Sequence, residues 1–128
     1  MDKFKEVNMS SREWLPQITK RERQELLRNH KYTSGVAGTE NEKDFKPVVK
    51  LFCITSPATW LLTEMSADGT AFGLCDLGMG SPELGYVHAS DIEEMGFIIE
   101  KDKWFTAKAG ISEYAKHARS EQRIIETW

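Results

Sequence analysis

Four polar residues interrupt the apolar, strand-like runs in the middle of the chain: Glu64, Asp76, Glu83 and His88. Carboxylates and an imidazole are the side chains that bind divalent metals or exchange protons with a substrate. Glu64, Asp76 and His88 could therefore serve a small metal-dependent or hydrolytic enzyme. The simpler interpretation, which we favour, is that the four side chains alternate outward on a sheet with one solvated face.

No motif of known catalytic mechanism accompanies these residues. The sequence contains no HExxH helix, no phosphate-binding loop with its Lys, no nucleophile elbow and no dinucleotide fingerprint. The segment Gly78-Met79-Gly80 lacks the Lys and the following helix of a phosphate cradle, so we interpret it as a turn. We expect no catalytic residues, no metal ligands and no cofactor, although the carboxylates and the His keep an enzymatic role open.

Two aromatic residues, Trp60 and Tyr86, are candidates for contact with a partner. A Trp within a strand is most often part of the core, but Trp60 follows the turn at Ser56-Pro57, where side chains reach the edge of a sheet. Large amphipathic rings at such edges anchor partners. Trp14 either folds back on the sheet or contacts something else, and Trp104 is expected in the core. The candidate binding residues are Trp60, Glu64, Asp76, Glu83, Tyr86 and His88.

Short strands must position these side chains. Asp68-Gly69 is a tight-hairpin signal between two of them. Residues 97–100 and 103–106 predict a closing hairpin that turns at Lys101-Asp102. The four strands of the central meander are predicted at Val48 to Thr55, Trp60 to Met65, Thr70 to Leu77 and Leu84 to His88.

Three helices are predicted around this meander. Thr19 and Glu22 form a capping box that opens a helix through about Asn29, and a second box at residues 90–93 opens a short helix that Gly96 ends. The last helix begins at about Ile111. Its mostly apolar stripe packs either within the chain or against a second copy, so a monomer and a homodimer both remain open. The stripe consists of Ile111, Tyr114, Ala115, Ala118, Gln122 and Ile125.

These elements predict an α+β fold, with a small antiparallel meander sheet of four to six strands and flanking N-terminal, mid-chain and C-terminal helices. Residues 1–18 are interpreted as an N-terminal extension and residues 19–128 as a single domain. Residues 33–46 are polar and contain two glycines, which predicts a flexible loop.

Charge is unevenly distributed along the chain. Residues 1–31 carry eight Lys or Arg and five Asp or Glu, whereas residues 32–107 carry five Lys or Arg and twelve Asp or Glu. An acidic domain disfavours general contact with phosphate backbones. Nucleic-acid binding through the basic arm at residues 12–31 is therefore the weaker alternative; its candidate phosphate contacts are Arg12, Lys20, Arg21, Arg23 and Arg28.

The compartment is predicted to be the cytoplasm, without contact to a membrane. The N-terminus has no apolar run behind its lysines, and no segment approaches the length of a membrane span. Cys53 and Cys75 lie in apolar strand-like runs and match no zinc spacing, so we expect two reduced thiols packed as small apolar groups.

An ordered set of short segments resembles a known family. The segments are Val48-Val49-Lys50-Leu51-Phe52, Thr59 to Glu64, Phe72-Gly73-Leu74, Glu83-Leu84-Gly85-Tyr86 and Asp91 to Glu94. In this order they resemble short bacterial proteins catalogued as domain of unknown function 2958, over residues 19 to 108. The chain differs from that pattern in its N-terminal extension, in Val87-His88 and in its longer helical tail.

The resemblance implies an accessory protein of a plasmid, phage or integrated element, not a particular reaction. We therefore expect a small non-catalytic protein that acts by protein–protein interaction, with an unidentified protein partner. Modulation of host defence or of plasmid maintenance is the expected role, and the acidic middle segment could imitate nucleic acid on its target.

Overall fold

The first described helix begins where the capping box predicts. The computed structural model describes residues 17–94 and 98–128, and its first helix, α1, spans Lys20–Val36. The Thr19 hydroxyl accepts from the Glu22 amide at 3.1 Å, and the Glu22 carboxylate accepts from the Thr19 amide at 2.9 Å. The predicted end at Asn29 is wrong: the helix continues for seven further residues, because Asn29 and Thr33 bond to the sheet beneath them.

A five-stranded antiparallel sheet forms the centre of the molecule. The four strands of the meander are confirmed within one residue or two of their predicted bounds. The spatial order is β4-β3-β2-β1-β5, so β4 and β5 are the two outermost strands. Within the described residues, β4 and β5 do not pair with each other. The strands are β1 (Val49–Cys53), β2 (Thr59–Met65), β3 (Thr70–Asp76), β4 (Glu83–His88) and β5 (Ile99–Lys101).

Two helices follow the meander. The short α2 spans Ala89–Glu94 and connects β4 towards β5, and α3 spans Ile111–Glu121. α2 begins directly after His88 rather than at the predicted cap, Ser90, and Gly96 lies outside the described residues. The predicted start of α3 at Ile111 is confirmed. The helix ends before Ile125, because Gln122 adopts a left-handed φ of 61° and its amide donates to the Ala118 carbonyl.

The core lies on both faces of the sheet, because side chains alternate along a strand. Trp60 and Leu62 belong to one buried cluster, which includes Leu26 of α1. Leu61, between them, belongs to a second cluster formed with the buried stripe of α3. The helical stripe thus packs within the chain. It consists of Ile111, Tyr114, Ala115 and Ala118.

A bulge in β2 requires a glycine on the strand beside it. The pairing of β2 with β3 shifts between Leu62 and Glu64, which places one extra residue on β2. A Cβ on Gly73 would lie 1.9 Å from the Leu61 carbonyl oxygen. No other residue type fits there without displacing the backbone of the central strand.

The predicted closing hairpin is wrong. Ile99–Lys101 forms β5, which pairs antiparallel with β1 at the far edge of the sheet, and residues 103–106 form no strand. The local turn is stabilised instead by Asp102, whose side chain accepts from the Trp104 amide at 2.9 Å. Within the described residues, no helix is both long enough and apolar enough to cross a membrane.

Candidate functional site

Glu64 is buried beneath α1 rather than directed to solvent. The residue is 7 % exposed. Its carboxylate accepts a hydrogen bond from the Thr33 hydroxyl at 2.9 Å and lies 3.5 Å from Nδ1 of His30. These contacts attach the second half of α1 to the end of β2, so the visible role of Glu64 is structural.

Asp76 is also buried, at the opposite end of the same pair of strands. It is 4 % exposed. One carboxylate oxygen accepts from the Gly78 amide at 2.8 Å, and the other accepts from the Ile124 amide at 3.0 Å. Asp76 therefore fixes the turn after β3 and anchors the segment that follows α3.

His88 ends β4 with both ring nitrogens bonded. Nδ1 accepts from the Ser90 amide at 3.2 Å, and Nε2 lies 3.0 Å from the carbonyl oxygen of Asp68. Because a carbonyl oxygen only accepts, Nε2 is the donor in its contact with Asp68. His88 therefore joins the end of β4 to the turn between β2 and β3.

The three residues of the enzymatic hypothesis are far apart. Glu64 lies opposite Phe72 on β3, and His88 lies opposite Thr70. Asp76 is four residues from Phe72 and six from Thr70 along the same strand, or about 13 Å and about 20 Å. Among the described residues, no three His, Cys, Asp or Glu side chains come together as a metal site requires.

A groove of about 460 Å³ lies beside the outermost strand β4 and is bounded by α2. Its walls are mostly apolar, with two exposed acidic residues of α2 at the border. Trp60 and Tyr86, the two aromatic residues singled out in the sequence, both line it. We call this groove and the exposed edge of β4 the β4 surface. The residues that line the groove are Trp60, Cys75, Leu77, Tyr86, Val87, Asp91 and Glu94.

Trp60 and Tyr86 contribute to the β4 surface in different ways. Trp60 is 1 % exposed and belongs to the core, as a strand Trp usually does. Tyr86 is 72 % exposed, and its ring contacts that of Phe72 on β3 at a centroid distance of 5.0 Å. Leu84, on the same strand, is 42 % exposed. The accessible part of this surface is therefore Tyr86 and Leu84, not Trp60.

Two free thiols occupy different electrostatic settings. Burial, with the nearby negative charge of Glu83, raises the pKa of Cys75 to about 11. For Cys53, burial is outweighed by hydrogen bonds from Ser56 and Thr55, and the pKa falls to about 7. Cys75 lines the groove, and its thiol lies near the charge of Glu83.

A second aromatic surface lies at the opposite edge of the sheet, and the sequence interpretation missed it. Trp104, expected in the core, is 91 % exposed. The expectation fails because residues 103–106 form no strand, so no alternation directs the ring inward. We call the cavity of about 420 Å³ beside it the Trp104 corner. It is lined by Lys50, Phe52, Glu100, Lys101, Asp102, Lys103 and Trp104.

Two lysines of the Trp104 corner, Lys50 and Lys101, are engaged within the chain. Nζ of Lys50 lies 2.5 Å from Glu126 and 3.4 Å from Asp102. Burial opposes the charge of Lys50, but the two carboxylates outweigh it and raise its pKa. Nζ of Lys101 pairs with Glu22 at 2.9 Å.

The basic arm is only partly described. Arg12 and Trp14 lie outside the described residues, whereas Lys20, Arg21 and Arg28 are exposed on α1. Glu22 and Glu25 lie on the same helix, and Glu22 is committed to Lys101. The described part of the arm thus carries mixed charge.

The comparison with known proteins gives one match. The sequence model of a family described as Protein of unknown function (DUF2958) matches residues 17–125. The matched range contains every described helix and strand. No curated protein and no solved structure matches the chain.

Proposed function

Because this chain belongs to the DUF2958 family, whose description gives no function, we propose a function from the chain's own surfaces: it binds another protein through the β4 surface. The observation that carries this proposal is the exposure of Tyr86 beside an apolar groove on an outermost strand. A Tyr ring buries about 150–250 Å² in a contact. Covering the exposed part of Tyr86 would contribute roughly 2–4 kcal/mol to binding.

The engagement of the polar residues supports binding rather than catalysis. Glu64 and Asp76 are buried and hydrogen-bonded to α1 and to the backbone after α3. His88 is bonded at both ring nitrogens. Each of these groups already stabilises the fold, and none is aimed into the groove as a reacting group would be.

The proposed setting is the bacterial cytoplasm, where the protein would serve a plasmid, phage or integrated element by modulating host defence or element maintenance. This part of the proposal depends on the family resemblance. Among the described side chains, the accessible acids of the β4 surface are Glu83, Asp91 and Glu94. Imitation of nucleic acid would have to use them, because Glu64 and Asp76 are buried.

The experiment is a capture from bacterial lysate with the tagged protein, with and without nuclease, read by mass spectrometry. Tyr86→Ala is the test variant and Trp104→Ala is the matched control, since both remove a largely exposed aromatic ring. Trp60→Ala is unsuitable because it would disrupt the core. We expect a nuclease-resistant partner that Tyr86→Ala loses and Trp104→Ala keeps. Equal retention by both variants, or retention only through nucleic acid, would contradict the proposal.

A further inference from the structure

We infer that the partner binds as an added strand: an extended segment pairs with the free edge of β4 and places alternate apolar side chains in two grooves, with a Lys or Arg facing the acids of α2. This inference rests on the proposed function and specifies the chemistry of its partner. It combines the open backbone of β4, the position of two grooves and the charge around them.

The backbone pattern shows which groups of β4 are free. The Thr70 carbonyl accepts from the Ser66 amide on the β2 side at 2.9 Å, so the backbone of Thr70 faces β2. Backbone direction alternates along an antiparallel strand, and His88 lies opposite Thr70. His88 therefore directs its backbone away from β3, and Tyr86 and Leu84, two and four residues earlier, do the same.

These outward groups lie on an unpaired edge. β4 is the outermost strand, and within residues 17–94 and 98–128 no strand pairs with its outer side. The amide of His88 is already bonded to the Asp91 carboxylate at 3.4 Å. The N–H and C=O groups of Leu84 and Tyr86 are thus the ones presented to an incoming strand.

A groove lies on each face of the sheet along this edge. The groove of about 460 Å³ contains Val87, which packs against the cluster beneath α1. A second groove, of about 280 Å³, is lined by Leu84 together with Ala115 and Arg119 of α3. Since Leu84 and Val87 belong to opposite faces, consecutive side chains of an added strand would enter one groove and then the other.

The acidic side chains around β4 favour a partner segment that carries positive charge. Glu83, Asp91 and Glu94 are exposed around β4 and α2, whereas Arg119 is the basic residue that lines the second groove. A second copy of the chain would bring the same acids against one another, and opposed like charges destabilise strand pairs. The chemistry therefore favours an apolar segment with Lys or Arg over self-association.

The test starts from random peptides displayed on phage and selected on the intact protein, followed by synthesis of the selected sequences. We expect alternating apolar residues with a Lys or Arg. With peptide bound, amide hydrogen exchange at Leu84 and Tyr86 should slow by about 10-fold or more, while Gly85 and Val87, already bonded to β3, stay unchanged. N-methylation of the peptide amides that pair with β4 should abolish binding, although it leaves the protein untouched.

A change in the protein provides the second arm. Leu84→Pro removes an outward amide and leaves the bonds to β3 intact, a placement of Pro that edge strands tolerate. It should weaken peptide binding about 10-fold or more with little change in thermal unfolding. The inference fails if the selection yields no binder, or if the binders leave the Leu84 and Tyr86 amides unprotected. It also fails if these amides become protected with rising protein concentration in the absence of peptide, because that would indicate self-pairing. If lysate capture still depends on Tyr86 in that event, protein binding stands and only the strand-addition mode fails.

Discussion

The two edges of the sheet each carry an exposed aromatic residue, but only one edge is open. At β4, Tyr86 lies beside a groove and the outward backbone of the strand is unpaired within the described residues. At β5, the outward amide of Lys101 donates to the Gln17 side chain at 3.1 Å. β5 is also only three residues long. Short length and a capping side chain are ways in which proteins protect an edge from pairing.

The charged side chains at the two edges also differ in whether they already have partners. Lys50 and Lys101 at the Trp104 corner are neutralised by carboxylates of their own chain. At the β4 surface, Asp91 and Glu94 form no ion pair within the described residues, so their charge is available to a partner. The proposed binding at β4 therefore depends on the unpaired charges near Tyr86 as well as on its exposed ring.

The largest predicted effect separates the Trp residues of the two regions. Trp60→Ala should lower the free energy of unfolding by about 3–5 kcal/mol, because it leaves a cavity in the core. Trp104→Ala should change it by about 0.5 kcal/mol or less, as exposed substitutions do. Urea denaturation followed by circular dichroism measures both. A comparable loss in the two variants would mean that Trp104 also supports the core.

The next effect concerns binding. Once a partner is captured, Tyr86→Ala should weaken its affinity by about 30-fold or more, because an aromatic hot spot contributes about 2 kcal/mol or more. Trp104→Ala should leave the affinity within about 2-fold. Isothermal titration calorimetry with the purified partner gives both values. If Trp104→Ala proves the more damaging change, the functional edge is β5 and the comparison is reversed.

A charge reversal should give a smaller, salt-sensitive effect. Glu94→Lys removes an acid at the β4 groove and should slow association with a basic partner by a few-fold at low ionic strength, with the difference disappearing in high salt. Lys103→Glu at the Trp104 corner is the matched control and should not slow it. Stopped-flow association at several salt concentrations distinguishes the two. A salt-independent loss would indicate a structural effect instead.

The smallest effect is a titration. Burial of the thiol, together with the nearby charge of Glu83, raises the pKa of Cys75 to about 11 from the ordinary 9.0. Alkylation of Cys75 by iodoacetamide should thus rise with pH through about 11, and Glu83→Gln should shift that rise to lower pH. Site-resolved mass spectrometry separates Cys75 from Cys53, whose pKa is about 7. An unchanged profile in the variant would remove Glu83 as a source of the local field.

Much of the fold could be predicted because its signals are local. The Asp68-Gly69 turn lies between paired strands as expected, with the Gly69 amide donating to the Ser66 carbonyl at 3.1 Å. The Thr19 box and the first four residues of the predicted α3 stripe, Ile111 to Ala118, are likewise confirmed. Each depends on residues within a few positions of one another, so hydrogen-bond and steric preferences of the segment itself determine the outcome.

The misses at α1 and at the candidate carboxylates involve contacts between distant residues. α1 extends past Asn29 because the Asn29 side chain donates to the Thr63 carbonyl, thirty-four residues away. The two candidate carboxylates do not share a site, because each has a distant partner of its own. Asp76 accepts from the Ile124 amide, and Glu64 accepts from the Thr33 hydroxyl. The residues next to these carboxylates do not indicate that they are buried. A strand has two faces, and its two-residue periodicity alone does not tell which face another element covers.

The sequence by itself determined the four strands of the meander, the starts of α1 and α3 and the family, because turn chemistry, helix capping and apolar periodicity act within short stretches of chain. Only the tertiary structure decided which edge stays open, which aromatic ring is exposed and which acids are available. Those properties depend on where α1, α2 and α3 pack around the sheet. Burial and pairing are relations between segments, so a residue such as Trp104 acquires its environment only when the whole chain is folded.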